Sequence, residues 1–105
     1  MYINMPLTDQ QLLDSLKAAA DPTRLKILRL LKQKGRCSIG KRSGLCACDI
    51  EEQFQLSQPT ISHHMAVLTR AGLVRAEKHG LWMWYRRNEK SLKELARGLS
   101  GNAQG

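Results

Sequence analysis

The chain has no apolar run long enough to cross a bilayer, and residues 1–10 are too polar to hold the apolar region of a secretory signal. Neither a membrane partner nor export is expected, and the expected compartment is cytoplasmic. Cysteine is scarce and odd in number, three in 105 residues, so internal disulfides cannot pair them all. In a reducing compartment such thiols read as metal ligands or redox groups. Acidic residues are also few: 9 Asp and Glu stand against 17 Lys and Arg, a formal charge of +8. That imbalance favours a polyanionic partner, nucleic acid first. No Ser/His/Asp arrangement and no thioredoxin-like cysteine pattern is present, which makes an enzyme the least favoured class. No repeat and no second domain is visible. Residues 1–105 read as one domain, and a domain of this size buries only about 65% of its unfolded surface. A dimer interface would supply further burial.

What is present falls into a sequence of helices followed by a hairpin. Thr8 with Gln11 three residues later makes a capping box, and Leu12, Leu13, Leu16 and Ala20 follow at helical spacing. Asp21 and Pro22 open a second helix as N-cap and first helical residue, with Leu25, Ile27, Leu28, Leu30 and Leu31 apolar nearly all round. Such a helix belongs in the core. Residues 35–44 are glycine-rich, basic and without periodicity, a long loop of the kind that is often functional. Residues 47–54 make a short helix, and Ser57 caps another that runs to Ala71 and stops at Gly72. Residues 73–78 and 81–87 are strand-like and joined by His79-Gly80 as a two-residue turn. Asn88 caps a last helix with Leu92, Leu95, Ala96 and Leu99 on one face, and the end, about 99–105, reads as a flexible tail. The expected fold is mainly α with a small β-hairpin, a winged helix-turn-helix.

In the second helix of that pair, Ile61, Met65 and Leu68 are spaced to face the core. Ser57, Gln58, Thr60, Ser62, His63 and His64 then include its exposed N-terminal side. Gln can bond bidentately to adenine, Ser and Thr reach bases or phosphates, and the helix N-terminus favours a phosphate. A solvated polar face is the plainer alternative. Arg75, Lys78, His79, Arg86 and Arg87 cluster around the hairpin and favour double-stranded DNA, although they also suit a hairpin kept soluble by charge. Trp82, Met83, Trp84 and Tyr85 read as packing on the two faces of that ribbon.

The most specific chemistry lies in Cys46 and Cys48, just before the helix-turn-helix. Residues i and i+2 point about 200° apart around a regular helix, so one ion cannot take both unless that helix end bends or unwinds. Closing on both thiolates would therefore shift the helix that supports the recognition helix, and differential affinity for the two shapes would lower DNA affinity. Thiolates select soft metals.

Three segments in order, Ala20-Asp21-Pro22-Thr23-Arg24-Leu25, Leu45-Cys46-Ala47-Cys48-Asp49-Ile50 and Leu56-Ser57-Gln58-Pro59-Thr60-Ile61-Ser62-His63-His64-Met65, resemble the ArsR/SmtB family of metal-responsive repressors. With Ala71-Gly72-Leu73-Val74 and the hairpin, the resemblance covers about residues 12–99. It implies a homodimer built from the first and last helices, seated on operator DNA and released by an inducer. For the cysteine pair it implies As(III) or Sb(III) held by three sulfurs, or Cd(II) or Pb(II) held by the pair with distant cysteines. The chain departs from the arsenite-sensing pattern one helical turn after Cys48, where Glu51 stands in place of a third cysteine. Cys37, in the long loop, is then either the third sulfur or a free thiol. Three thiolates suit arsenite better than a structural zinc, which needs a fourth ligand. The last helix has no His for a zinc site. A redox switch using Cys46, Cys48 and Cys37 remains open, as does a constitutive DNA-binding protein with structural cysteines.

Overall fold

The structure, a computed structural model, describes residues 8–34 and 45–101. Its elements are α1 (Asp9–Ala19), α2 (Pro22–Lys34), β1 (Leu45–Cys46), α3 (Ala47–Phe54), α4 (Gln58–Arg70), β2 (Val74–His79), β3 (Trp82–Arg87) and α5 (Glu89–Ser100). Residues 35–44, expected from sequence to form a long loop that carries Cys37, lie outside the described residues.

Local chemistry sets the helix starts. Thr8 Oγ1 accepts from the Gln11 N–H at 3.1 Å while Gln11 Oε1 accepts from the Thr8 N–H at 3.0 Å, the reciprocal box expected from sequence. Asp21 Oδ2 accepts from the N–H groups of Thr23 at 2.9 Å and Arg24 at 3.1 Å. These bonds, the one from Arg24 foremost, hold the Asp21 carboxyl below the usual carboxylate range. Because the folded value is depressed, the stability it contributes is complete above that range and is lost as pH falls through the lowered value. Thermal melts of Asp21→Ala and the parent should therefore differ at neutral pH and converge in acid. A difference that stays constant with pH would contradict the charged cap.

The core forms where α2 and α4 cross. Ile27, Leu28 and Leu31 meet Ile61, Met65 and Leu68, closed by Ile50 of α3, Leu73, Val74 of β2 and Tyr85 of β3. The apolar face expected for α4 is thus the buried one. Leu25, in the first turn of α2, is exposed instead, so α2 is not apolar-buried all round. The leucine faces of α1 and α5 pack partly within their own chain, with Leu12, Leu92 and Leu95 against the core. Gly98 permits this approach, since a Cβ there would stand 3.0 Å from Leu12 Cδ1. Leu13 and Leu99 remain exposed.

The chain passes from α4 to the hairpin through a Schellman motif: Gly72, at φ 81°, donates to Thr69 O at 2.9 Å, and Leu73 to Leu68 O at 3.0 Å. Three details depart from the expectation. First, β1 adds a third strand, giving the antiparallel order β1-β3-β2 with Leu45 opposite Tyr85 and Cys46 opposite Trp84. Second, His79 pairs with Trp82, so the two-residue turn is Gly80-Leu81 rather than His79-Gly80. Gly80 keeps the role assigned to it, at φ 66°. Third, α5 includes Leu99 and Ser100 and ends at Gly101, whose φ of 76° lets its N–H reach Arg97 O. That cap carries the helix two residues into the stretch expected to fray.

Candidate functional site

The helix-turn-helix is α3 and α4, joined through Gln55 in the left-handed conformation at φ 55°. Ser57 caps α4: its Oγ accepts from the Thr60 N–H at 3.4 Å and lies 2.9 Å from Thr60 Oγ1. The two hydroxyls are therefore engaged with each other. Gln58, Ser62 and His63 are exposed on the same helix. His64 is half-buried, with Nδ1 3.1 Å from Arg24 Nη1, and Arg24 also donates from Nε to Ala18 O at 2.6 Å. This bridge fixes the recognition helix to the α1–α2 corner, a role for Arg24 that no sequence motif announces.

On the hairpin, Arg75 and Lys78 are exposed. Arg86 and His79 share one carboxylate, Arg86 Nη2 donating to Glu77 Oε2 at 3.4 Å and His79 Nε2 lying 3.1 Å from Glu77 Oε1. Arg75, Glu77, His79, Trp82, Trp84 and Arg86 occupy one face of the ribbon by register. Arg87 lies on the other. Its side chain is only 16% exposed and donates to Leu28 O at 3.2 Å and to Glu89 at 2.9 Å. It anchors the wing to α2 and α5, whereas sequence placed it with the DNA-facing cations. The chemistry of an arginine does not reveal whether its partner is a phosphate or the protein.

The cysteine pair sits where β1 becomes α3. Cys46 is the N-cap of α3, with φ −81° and ψ 164°, and is buried; Cys48 is exposed in the first turn. Because Cys46 stands outside the helix, its thiol is not held about 200° from that of Cys48 as it would be within a regular helix. The sulfurs of Cys46 and Cys48 and a carboxylate oxygen of Asp49 all lie within 4.8 Å of one another, with no unwinding of α3. Cys46 Sγ donates to Asp49 Oδ2 at 3.3 Å. Asp49 holds the N3 position, from which an acidic side chain reaches back to the cap. Sequence reasoning omitted Asp49, although the three-residue spacing from Cys46 was the signal. Two soft sulfurs and one hard oxygen fit a thiophilic cation or metalloid.

Residues 21–76, more than half of the chain, match the family profile of bacterial regulatory proteins of the arsR family. The arsenical resistance operon repressor of Staphylococcus aureus is 44% identical over 85 residues, 81% of this chain and 73% of that protein. A crystal structure of a possible transcriptional regulator for arsenical resistance is 31% identical and superposes with a TM-score of 0.70, covering 84% of this chain and 82% of the other. The solution structure of the homodimeric winged helix-turn-helix domain Mb0332 from Mycobacterium bovis shares the fold at 24% identity, with a TM-score of 0.68 over 91% of this chain and 87% of its own. No helix among the described residues is long and apolar enough to cross a membrane. With its helix-turn-helix, wing and matching segments, the chain belongs to the ArsR family of DNA-binding transcriptional regulators, as a winged helix-turn-helix repressor.

Proposed function

We propose that this repressor sits on operator DNA as a cytoplasmic homodimer and leaves it when arsenite or antimonite binds the thiolates of Cys46 and Cys48, with Cys37 as the third sulfur. The observation that carries this reading is the convergence of two sulfurs at the start of α3. The 44% identical S. aureus relative, named an arsenical resistance operon repressor, supports the metalloid. Gln58, Ser62 and His63 of α4 read bases, aided by the polar cap of Ser57 and Thr60, while Arg75, Lys78, His79 and Arg86 hold phosphates. His64 orients α4 through Arg24. Leu13 and Leu99 offer the apolar surface for a second copy, as befits a fold neighbour described as homodimeric.

The chain's own response begins with a proton. Each thiol that binds as thiolate gives up its proton, to a departing arsenite or antimonite hydroxide as water or, for a divalent cation, to solvent, and Cys46 then has no hydrogen to donate to Asp49. The first turn of α3 is thereby re-bonded, α3 packs on α4, and the form with lower DNA affinity is favoured. A second reading, a Cd(II) or Pb(II) sensor, is favoured by the carboxylate oxygen in the donor set.

The test is a parallel titration of the reduced protein on a labelled palindromic operator with arsenite, antimonite, cadmium, lead and peroxide. Near-stoichiometric release by arsenite that is lost in Cys37→Ser is the expected result. Release by cadmium or lead alone selects the second reading, and release by peroxide alone makes the pair a redox switch.

A further inference from the structure

Cys46 is also a member of the wing's sheet. It lies directly opposite Trp84 in the β1–β3 pairing, and the two form a buried cluster separate from the main core, Cys46 at 0% and Trp84 at 5% exposure. Side chains at paired positions of an antiparallel ladder share a face and touch. His79, on β2 at the other edge of β3 from Cys46, has its ring centroid 5.3 Å from that of Trp84. Glu77 sits opposite Trp84 on β2 and gathers both His79 and Arg86. A continuous path of contacts thus runs from the thiol, through one indole, to the His79 and Arg86 side chains of the wing.

We infer that Trp84 is a positioning residue that passes occupancy of the thiol site to the DNA-facing side of the wing, so that release acts through the hairpin as well as through α3 and α4. This inference rests on the proposed thiol chemistry. The physical ground is packing: Cys46 is fully buried, and its sulfur meets Asp49 on the α3 side while its strand neighbour is Trp84. In a close-packed contact a change in the sulfur's bonding is felt by the group that covers it. Here that group is an indole on which His79 rests. Repositioning His79 alters its share of Glu77, and with it the hold on Arg86. Trp82, on the same ribbon face but 47% exposed, is outside this buried pair.

Two measurements test the relay. In Trp82→Phe, Trp84 is the sole indole of a chain that has two. Titration with arsenite, and separately with cadmium, should change its emission in step with the ultraviolet thiolate absorption band, and Cys46→Ser should remove the change. In Trp84→Phe, the absorption band and operator affinity without metal should persist, while the ratio of operator affinities without and with metal falls roughly tenfold or more. Trp84→Tyr, smaller than the indole but larger and more polar than Phe, should restore part of that ratio. Metal uptake that leaves Trp84 emission unchanged overturns the relay, whether or not Trp84→Phe folds. So does full release by a folded Trp84→Phe. Absence of the absorption band in the parent protein instead overturns the thiol reading itself.

Discussion

Operator affinity should fall about 10³-fold between 50 and 200 mM salt, the response of a contact that neutralises around six phosphates and frees their counterions. The net charge of +8 per chain supplies the attraction, and the exposed cations of the wing are its proposed address. The structure further divides the cations. Lys78 is exposed, so Lys78→Ala should lower affinity on all sequences and reduce the logarithmic salt slope by about two per dimer, one charge from each copy. Arg87 is bonded to Leu28 O and Glu89, so Arg87→Ala should leave the slope unchanged while lowering stability. Gln58→Ala should cost about 1–3 kcal/mol on the cognate operator with the slope preserved, because a base contact is lost and no charge. Arg86→Ala should weaken binding and keep the part of the response to inducer that passes through α3 and α4. A flat salt response would remove the wing from the interface.

Leu68→Ala should destabilise the fold by about 2–5 kcal/mol. Leu68 is 0% exposed and belongs to the cluster where α4 meets α2, α3 and the strand that follows. Truncation removes its transfer free energy and leaves a cavity that rigid helices on every side cannot close. Domains of this size hold only about 5–15 kcal/mol in all, so the substitution should lower the melting temperature by roughly ten degrees or more. Leu81→Ala is the matched control: the same side-chain change at a wing tip that is 95% exposed should stay within about 0.5 kcal/mol. Equal effects at the two positions would mean that α4 is not seated as described.

The elements that were legible in the sequence owe it to short-range chemistry. Thr8 with Gln11, Asp21 with Pro22, Ser57 and Asn88 each satisfy N–H groups two or three residues away, and each cap occurs where the residue types place it. The buried stripe Ile61, Met65, Leu68 follows from helical period alone. By contrast β1 is two residues long, too short for any periodicity, and its partner Tyr85 is remote in the chain. Missing that strand also misplaced Cys46. Read as a helical residue it points away from Cys48, whereas as a strand residue and N-cap it stands beside both Cys48 and Asp49. Arg87 shows the same limit, since whether a cation faces solvent or a carbonyl depends on how β3 is seated against α2.

On the proposed function, the Cys46–Cys48 pair governs DNA affinity without taking part in DNA binding. This is tested most directly by operator-binding anisotropy of the reduced parent, Cys46→Ser and Cys48→Ser, each with and without arsenite. Operator affinities within about twofold of one another are expected in the absence of arsenite, with release by arsenite only in the parent; a coupling of about 5–150-fold is the usual size of such an effect. Loss of operator binding in the serine variants, or release that persists in them, would contradict the proposed function.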